Sequence, residues 1–211
     1  MQSKQHKKVL ALVQMAVLIA IMLVLELTGL GMVKIGALEM TILQFPVIVG
    51  AIIMGPAAGT GLGLVFGLIS FWECFGKSTF GVTLLSINPF FTFLVCVPTR
   101  TLMGFFCGLV YRGMHRILIK GTDRVSQTIK MIPYLVASLA GSLLNTLFFM
   151  STLLALFAST EYIRGFMQVA GTQNLILFAV WFVGIQGLVE ALLCAFLGTV
   201  VSRSANEILK N

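Results

Sequence analysis

The side chains that could do chemistry in this chain are the few polar ones that interrupt long apolar segments. Arg100, Asn145, Gln186 and Glu190 lie well inside such segments. Burying a polar group at this depth in an apolar helix is costly, so each is a candidate for binding or transport chemistry. A second set of polar residues lies near the segment ends and comprises Glu39, Gln44, Asn88 and Asn174.

The two charged residues inside the segments allow more than one interpretation. An ion pair between Arg100 and Glu190 would remove two unpaired charges and fix two apolar segments together. Alternatively, Arg100 binds a ligand carboxylate, or Glu190 faces a partner subunit. We expect the structural ion pair.

The amides Asn88 and Asn145 are better candidates for ligand contacts, because an amide both donates and accepts hydrogen bonds and carries no charge. The alternative is hydrogen bonding between helices. Lys34, Lys77 and Arg164 lie in polar connections, where they either attract an anionic solute or are simply solvated.

Several common kinds of catalytic site are excluded. The chain has no G-x-x-x-x-G-K-[ST] nucleotide-binding loop. Its two histidines, His6 and His115, form no H-E-x-x-H zinc motif. We therefore expect no enzyme activity, no metal and no cofactor in this chain. The four cysteines form no C-x-x-C pair and are interpreted as small buried hydrophobic residues; they are Cys74, Cys96, Cys107 and Cys194.

The composition predicts one integral membrane domain over residues 1–211. Of the 211 residues, 58% are hydrophobic and 10% are charged, and the mean hydropathy is +1.03. Soluble proteins carry about 25% charged residues, so this chain lacks the polar side chains needed to cover a water-facing surface. At about 20 residues per membrane-spanning helix, its length allows roughly five to seven spans and no soluble domain beside them.

The predicted fold is all-α, a bundle of six transmembrane helices with both termini cytoplasmic. The net charge of +7 fits the positive-inside rule, since ten of the 14 basic residues fall on the predicted cytoplasmic side. We therefore expect a multi-pass protein of the plasma membrane that does not bind nucleic acid. The predicted spans are Val9–Leu27, Leu38–Met54, Ala57–Trp72, Pro89–Val110, Ile132–Phe157 and Asn174–Val201.

Small residues predict where helices approach each other closely. Gly59, Gly63 and Gly67 form a ladder with a spacing of four, which places them on one face of a helix. Such a stripe lets another helix come within backbone contact. Ala16 and Ala20 form a similar pair in the first span, where the alternative is an ordinary lipid-facing position.

This series of motifs resembles the substrate-binding (S) components of energy-coupling factor (ECF) vitamin transporters. The resemblance keeps its order and spacing over nearly the whole chain. Its motifs are Gln44–Ala51 (QFPVIVGA), Gly55-Pro56 with the glycine ladder, Ile87-Asn88-Pro89, Val97–Arg112, Gly141–Thr146 (GSLLNT) and Gly187–Ala191.

The resemblance implies a six-helix bundle that captures a vitamin from outside and topples in the membrane to release it inside. It implies as partners the membrane coupling subunit EcfT and two cytoplasmic ATPases, which hydrolyse the ATP. Ala16 and Ala20 resemble the family's contact with the coupling subunit. We assign Gly59 and Gly63 to the same partner interface.

The resemblance also places the ligand near the outer ends of the last three spans. The GSLLNT and Gly187–Ala191 segments are most similar to the pantothenate branch, and pantothenate carries a carboxylate, hydroxyls and an amide that polar residues can satisfy. Another vitamin (hydroxymethylpyrimidine or riboflavin) is an alternative substrate, and a membrane scaffold without a solute is an alternative function. The expected substrate-binding residues are Asn88, Asn145, Asn174, Trp181, Lys34 and Gln44.

Overall fold

The computed structural model describes residues 4–29, 31–35, 38–118, 126–172 and 174–208. Over this part of the chain the fold is predominantly helical, as predicted, with one short antiparallel hairpin that the all-α prediction missed. The helices and strands formed by the described residues are, in chain order, α1 (Lys4–Leu27), β1 (Met32–Ile35), β2 (Leu38–Thr41), α2 (Gln44–Met54), α3 (Pro56–Glu73), α4 (Thr79–Ile87), α5 (Pro89–Leu118), α6 (Gln127–Phe157), α7 (Glu161–Val169) and α8 (Leu175–Ile208).

Four helices of the described chain are long and apolar enough to cross a membrane. They correspond to the first, fourth, fifth and sixth predicted spans. α5 begins at Pro89 and α6 ends at Phe157, both as predicted. The qualifying stretches are Lys8–Leu27, Pro89–Leu118, Ile129–Phe157 and Gly187–Ser204.

The second predicted span begins too early. The stretch Leu38–Thr41, which was expected to belong to this span, forms β2 and pairs with β1 instead. α2 begins at Gln44 and has 11 residues. Pro46 lies in its first turn, where the missing N–H of a proline leaves no intrahelical hydrogen bond unmade. α3, with 18 residues, keeps the predicted bounds to within one residue at each end.

α2 and α3 are joined through a single residue, Gly55. Its φ of 94° lies in the left-handed region that glycine tolerates. Pro56 follows as the first residue of α3, where its fixed φ suits the start of a helix. The two helices therefore form a tight hairpin.

The glycine ladder of α3 packs against α5 of the same chain. A Cβ at Gly59 would collide with the carbonyl oxygen of Gly104, and one at Gly63 would collide with that of Arg100. The close approach of a helix to this face is therefore as predicted. The assignment of Gly59 and Gly63 to a partner interface is wrong, because α5 already covers both residues.

Two short helices, α4 and α7, lie in connections between the predicted spans. The Ser78 hydroxyl caps α4 by accepting the Gly81 N–H at 2.9 Å. α7 is preceded by Thr160, whose hydroxyl oxygen lies 3.5 Å from the Ile163 nitrogen. Both helices form at the same end of the bundle, where the rings of Phe80 and Tyr162 pack at 5.8 Å between centroids.

α8 is interrupted at Gly184, whose backbone angles (φ 9°, ψ −110°) are not helical. The predicted span Asn174–Val201 therefore consists of two helical pieces. Among the described residues, the stretch of α8 that is long and apolar enough to cross a membrane is Gly187–Ser204. α5 lies between α3 and α6, and α6 in turn packs on α8.

α1 lies at the edge of this bundle. It packs on α2 and α3, while apolar side chains such as Leu12 and Val24 remain exposed. Ala16 and Ala20 are also exposed on this helix. An apolar exposed surface of this kind is expected of a helix that faces lipid or another membrane protein.

Candidate functional site

An open cavity of about 710 Å³ lies where the end of α6 meets α7 and the turn that follows it. This volume falls within the range of ligand sites, about 300–1,000 Å³. The lining combines one cation with amide, hydroxyl and apolar groups, a mixture suited to a small polar molecule. The lining residues are Ala158, Ser159, Arg164, Met167, Gln168, Gly171 and Thr172.

α7 presents the polar part of this lining because its two faces differ. On the apolar face Ile163 is fully buried, and Tyr162 and Phe166 form an edge-to-face ring pair at 5.1 Å. Arg164 and Gln168 are four residues apart, so they lie on the same side of α7, and both are exposed. Packing of the apolar face thus holds Arg164 and Gln168 at the cavity.

The turn after α7 adds a hydroxyl. The Thr172 oxygen accepts the N–H of Asn174 at 3.1 Å. Gly171, with φ of 66°, allows the chain to reverse here. The expected ligand residue Asn174 lies beside the cavity, and its Oδ1 lies 3.4 Å from the Leu177 nitrogen at the start of α8.

A second polar region is buried where α2, α6 and α8 meet. Glu190 Oε1 accepts the backbone N–H of Thr41 at 3.1 Å, and its Oε2 lies 3.4 Å from Gln44 Nε2. The same Gln44 nitrogen lies 3.5 Å from Ser142 Oγ. Gln44 is fully buried, which places an expected ligand residue in the interior of the bundle.

Asn145 lies one helical turn beyond Ser142 on α6. It is 7% exposed, and its Oδ1 has no hydrogen-bond partner among the described residues. The Oε1 atom of Gln44 is likewise without a partner there. Buried polar atoms are normally hydrogen-bonded, so two unpaired side-chain oxygens in this region are available to a donor that is not part of the described chain.

The expected ion pair between Arg100 and Glu190 is not formed. Arg100 is 7% exposed, and its guanidinium donates to the carbonyl of Cys96 at 3.2 Å. It also lies over the rings of Phe66 and Phe149, 4.9 and 5.3 Å from their centroids. The partners of the Arg100 guanidinium are therefore carbonyls of its own helix and two aromatic faces, in place of the expected Glu190 carboxylate.

Asn88 serves as a helix cap. Its Oδ1 accepts the N–H of Phe91 at 3.1 Å, in the first turn of α5, directly before the helix begins at Pro89. Asn88 is half-buried between α4 and α5. The structure thus separates the expected ligand residues into a buried group with Gln44 and Asn145 and a capping group with Asn88 and Asn174.

The remaining residues singled out from the sequence are Lys34, Trp181, Lys77 and the four cysteines. The side chains of Lys34 and Trp181 lie outside the described part of the chain. Lys77 forms a salt bridge with Glu26 at 2.5 Å, so it ties the end of α1 to the loop after α3. All four cysteines are buried and free, in agreement with their interpretation as small hydrophobic residues.

Gln168, Ser142 and Thr172 are among the residues of these two regions that sequence reasoning did not single out. Gln168 could have been found from its spacing of four from Arg164 in an amphipathic stretch. Ser142 lies three residues before Asn145, on the same face of α6. Thr172 carries no comparable signal, because its position depends on the turn between α7 and α8.

The comparisons with known proteins agree with this architecture. A family model described as "ECF transporter, substrate-specific component" matches residues 10–202. The chain is 30% identical over 158 residues to the pantothenic acid transporter PanT of Lactococcus lactis subsp. cremoris (strain MG1363), covering 69% of this chain and 73% of that protein. It is 32% identical over 87 residues to the pantothenate transporter PanT of Leuconostoc mesenteroides subsp. mesenteroides, covering 41% of this chain and 40% of that protein. The chain belongs to the family of ECF transporter substrate-specific components, which are transporter subunits and not enzymes.

Proposed function

We propose that this chain is the substrate-capture subunit of an ECF-type importer and that its substrate is pantothenate. The observation that carries the proposal is the similarity over 158 residues to a protein named as a pantothenic acid transporter. The GSLLNT segment, Gly141–Thr146, supplied the same assignment from the sequence.

The polar groups of the two regions suit the chemistry of this vitamin. Pantothenate has a carboxylate at one end, hydroxyls at the other and an amide between them. Gln44 and Asn145 each keep a side-chain oxygen without a partner among the described residues, and these oxygens can accept from hydroxyl or amide donors. We assign ligand contacts to these two residues, and keep Lys34 and Trp181 as proposed contacts. Asn88 and Asn174 then support the site mainly by capping helices.

We further propose that the chain crosses the membrane six times, with both termini in the cytoplasm. The short hairpin of α2 and α3 would supply the two crossings beyond the four membrane-length helices. The charge distribution along the sequence supports this orientation, since ten of the 14 basic residues fall in segments that would be cytoplasmic. These residues are Lys4, Lys7, Lys8, Arg112, Arg116, Lys120, Arg124, Lys130, Arg203 and Lys210.

The energy for transport would come from partner subunits. The chain has no nucleotide-binding motif, so ATP would be hydrolysed by two cytoplasmic ATPases that act through the coupling subunit EcfT. The exposed alanines of α1, Ala16 and Ala20, are the proposed contact with EcfT, because small side chains allow close approach of another helix. The vitamin would be released inside when the bundle topples.

A panel of vitamins tests the proposed substrate. The protein, purified in detergent, is heated with pantothenate, riboflavin, hydroxymethylpyrimidine or no addition, and its melting temperature is measured. We expect pantothenate alone to raise the melting temperature, because a ligand that binds only the folded state stabilises it. A shift with another vitamin would overturn the assignment of pantothenate as the substrate. No shift with any vitamin, together with stable co-purification of a membrane partner, would favour a scaffold subunit.

A further inference from the structure

We propose that Arg164 binds the carboxylate of the captured molecule, at the cavity formed by α6, α7 and the turn that follows. This inference rests on the proposed function and names the part of the substrate that this end of the protein recognises. The chemical class is a small molecule that carries a carboxylate.

The charges of the described residues single out Arg164 for this role. Lys77 is engaged by the Glu26 carboxylate. Arg100 is buried against carbonyls and aromatic rings. Arg164, by contrast, is exposed, lines the cavity and takes part in no salt bridge found among the described residues. Glu161, the acidic residue in the first turn of α7, does not line the cavity.

The geometry of the lining suits a carboxylate. A guanidinium is a planar fork of N–H donors that can hold both oxygens of a carboxylate at once. Gln168 lies one turn further along α7 and offers amide N–H donors to the same space. The Thr172 oxygen already accepts the N–H of Asn174, which leaves its hydroxyl hydrogen free to donate into the cavity. Three kinds of donor therefore border the same cavity, with no acidic side chain in the lining.

The apolar part of the lining can hold the rest of the molecule. Met167 and Ala158 border the cavity beside the polar residues. Met167 also packs against the buried cluster that includes Phe157 and Ile163, both fully buried. The floor of the cavity is thus held in place by side-chain packing, so Arg164 projects from a supported helix and not from a free loop.

The test compares two ligands that differ only in the carboxylate. Pantothenol has a CH₂OH group where pantothenate has its carboxylate. Affinities of both compounds are measured by calorimetry on the full-length protein in detergent without added lipid, for the wild type and for Arg164→Gln. We expect Arg164→Gln to weaken pantothenate roughly 10- to 100-fold, since it removes a charge-assisted hydrogen-bonding pair. Pantothenol should bind the wild type more weakly than pantothenate does and should be unaffected by the substitution.

Two further variants sharpen the result. Arg164→Lys keeps the charge but loses the fork, so it should lie between the wild type and Arg164→Gln. Arg116→Gln removes an exposed arginine near the end of α5, outside the cavity lining, and should leave both affinities unchanged. Melting temperatures without ligand report whether each variant is folded.

Two results would overturn the assignment while leaving the proposed function intact: pantothenate affinity unchanged in Arg164→Gln, or equal loss of both ligands. If the wild type binds neither compound, the proposed function fails and the role of Arg164 fails with it.

Discussion

Glu190 holds the start of α2 against α8 through both oxygens of its carboxyl group. One oxygen accepts the N–H of Thr41 and the other faces the side-chain amide of Gln44. Glu190 is 6% exposed, so water has little access to replace its carboxylate as the acceptor for these two donors. The residue is therefore a structural acceptor that fixes the junction of β2 and α2, and Arg100 is held by other groups.

Substitution of Glu190 tests whether its carboxylate stabilises the fold as a hydrogen-bond acceptor. In Glu190→Ala the N–H of Thr41 and the amide of Gln44 lose their acceptor, which should cost about 1–3 kcal/mol of stability. Glu190→Gln should be milder, because the Gln44 amide can turn its unpaired Oε1 towards the new NH₂ group. The melting temperature in detergent measures both. Equal losses in the two variants would show that the hydrogen bonds to Glu190 are not what stabilises this junction.

Sequence reasoning identified the polar residues that are buried but not their partners. Arg100, Asn145 and Glu190 stand out because each interrupts an apolar segment, and all three are buried. Their partners depend on the rotation of each helix about its own axis, which the apolar composition of a membrane helix barely constrains. Arg100 and Glu190 were therefore matched by charge and depth, whereas the rotation of α5 brings Arg100 against Phe66 and Phe149.

The contact between α3 and α5 is built from backbone on both sides. Gly59 meets Gly104, and Gly63 meets the backbone of Arg100. Such contacts leave no room for a methyl group, because the atoms opposite are backbone and cannot rotate away. The contact therefore sets the distance between the two helices, and with it the position of Arg100 on α5.

Alanine substitutions on one helix test this contact. Gly63→Ala should lower the stability by about 1–3 kcal/mol, the usual penalty for overpacking. Gly61→Ala is the matched control: it lies on the same helix, and its new methyl group would meet the flexible end of Met15 at 3.0 Å. Because alanine favours a helix over glycine, the control should be neutral or slightly stabilising. Equal melting temperatures for the two variants would contradict the proposed tight contact.

The long helices could be predicted from the sequence, whereas the short ones could not. The start of α5 at Pro89 and the end of α6 at Phe157 were predicted correctly, because a membrane-length apolar run needs little tertiary information. The opposite ends were placed too early for α5, which continues to Leu118, and too late for α6, which begins at Gln127. α4 and α7 have nine residues each, too few to be stable alone. They form because Phe80, Tyr162 and Phe166 pack together, which local sequence does not reveal.

α1 gives the molecule a surface suited to another membrane protein. It carries exposed apolar residues along its length, and Ala16 and Ala20 lie on that exposed side. This face lies on the outer side of α1, while the proposed ligand regions involve the buried start of α2 together with α6, α7 and α8. Ligand capture and partner contact would therefore use different parts of the bundle.

Tryptophan substitutions test this separation. Ala16→Trp and Ala20→Trp should reduce cellular pantothenate uptake by about tenfold or more, because a large side chain blocks close helix approach. Binding by the purified variants should stay as in the wild type. Ile21→Trp, on the same helix but turned about 100° away from Ala20, should leave uptake largely intact. Normal uptake with both alanine variants would remove this face from the partner interface.

The central claim is that this chain captures pantothenate for an ATP-driven importer, and vesicle transport measures it most directly. The chain is reconstituted in liposomes with a coupling subunit and two ATPases, ATP is supplied on the side of the ATPases, and labelled pantothenate on the opposite side. The expected result is accumulation that requires both ATP and this chain. Unchanged accumulation when this chain is omitted, or none with the complete set while riboflavin or hydroxymethylpyrimidine is transported, would contradict it.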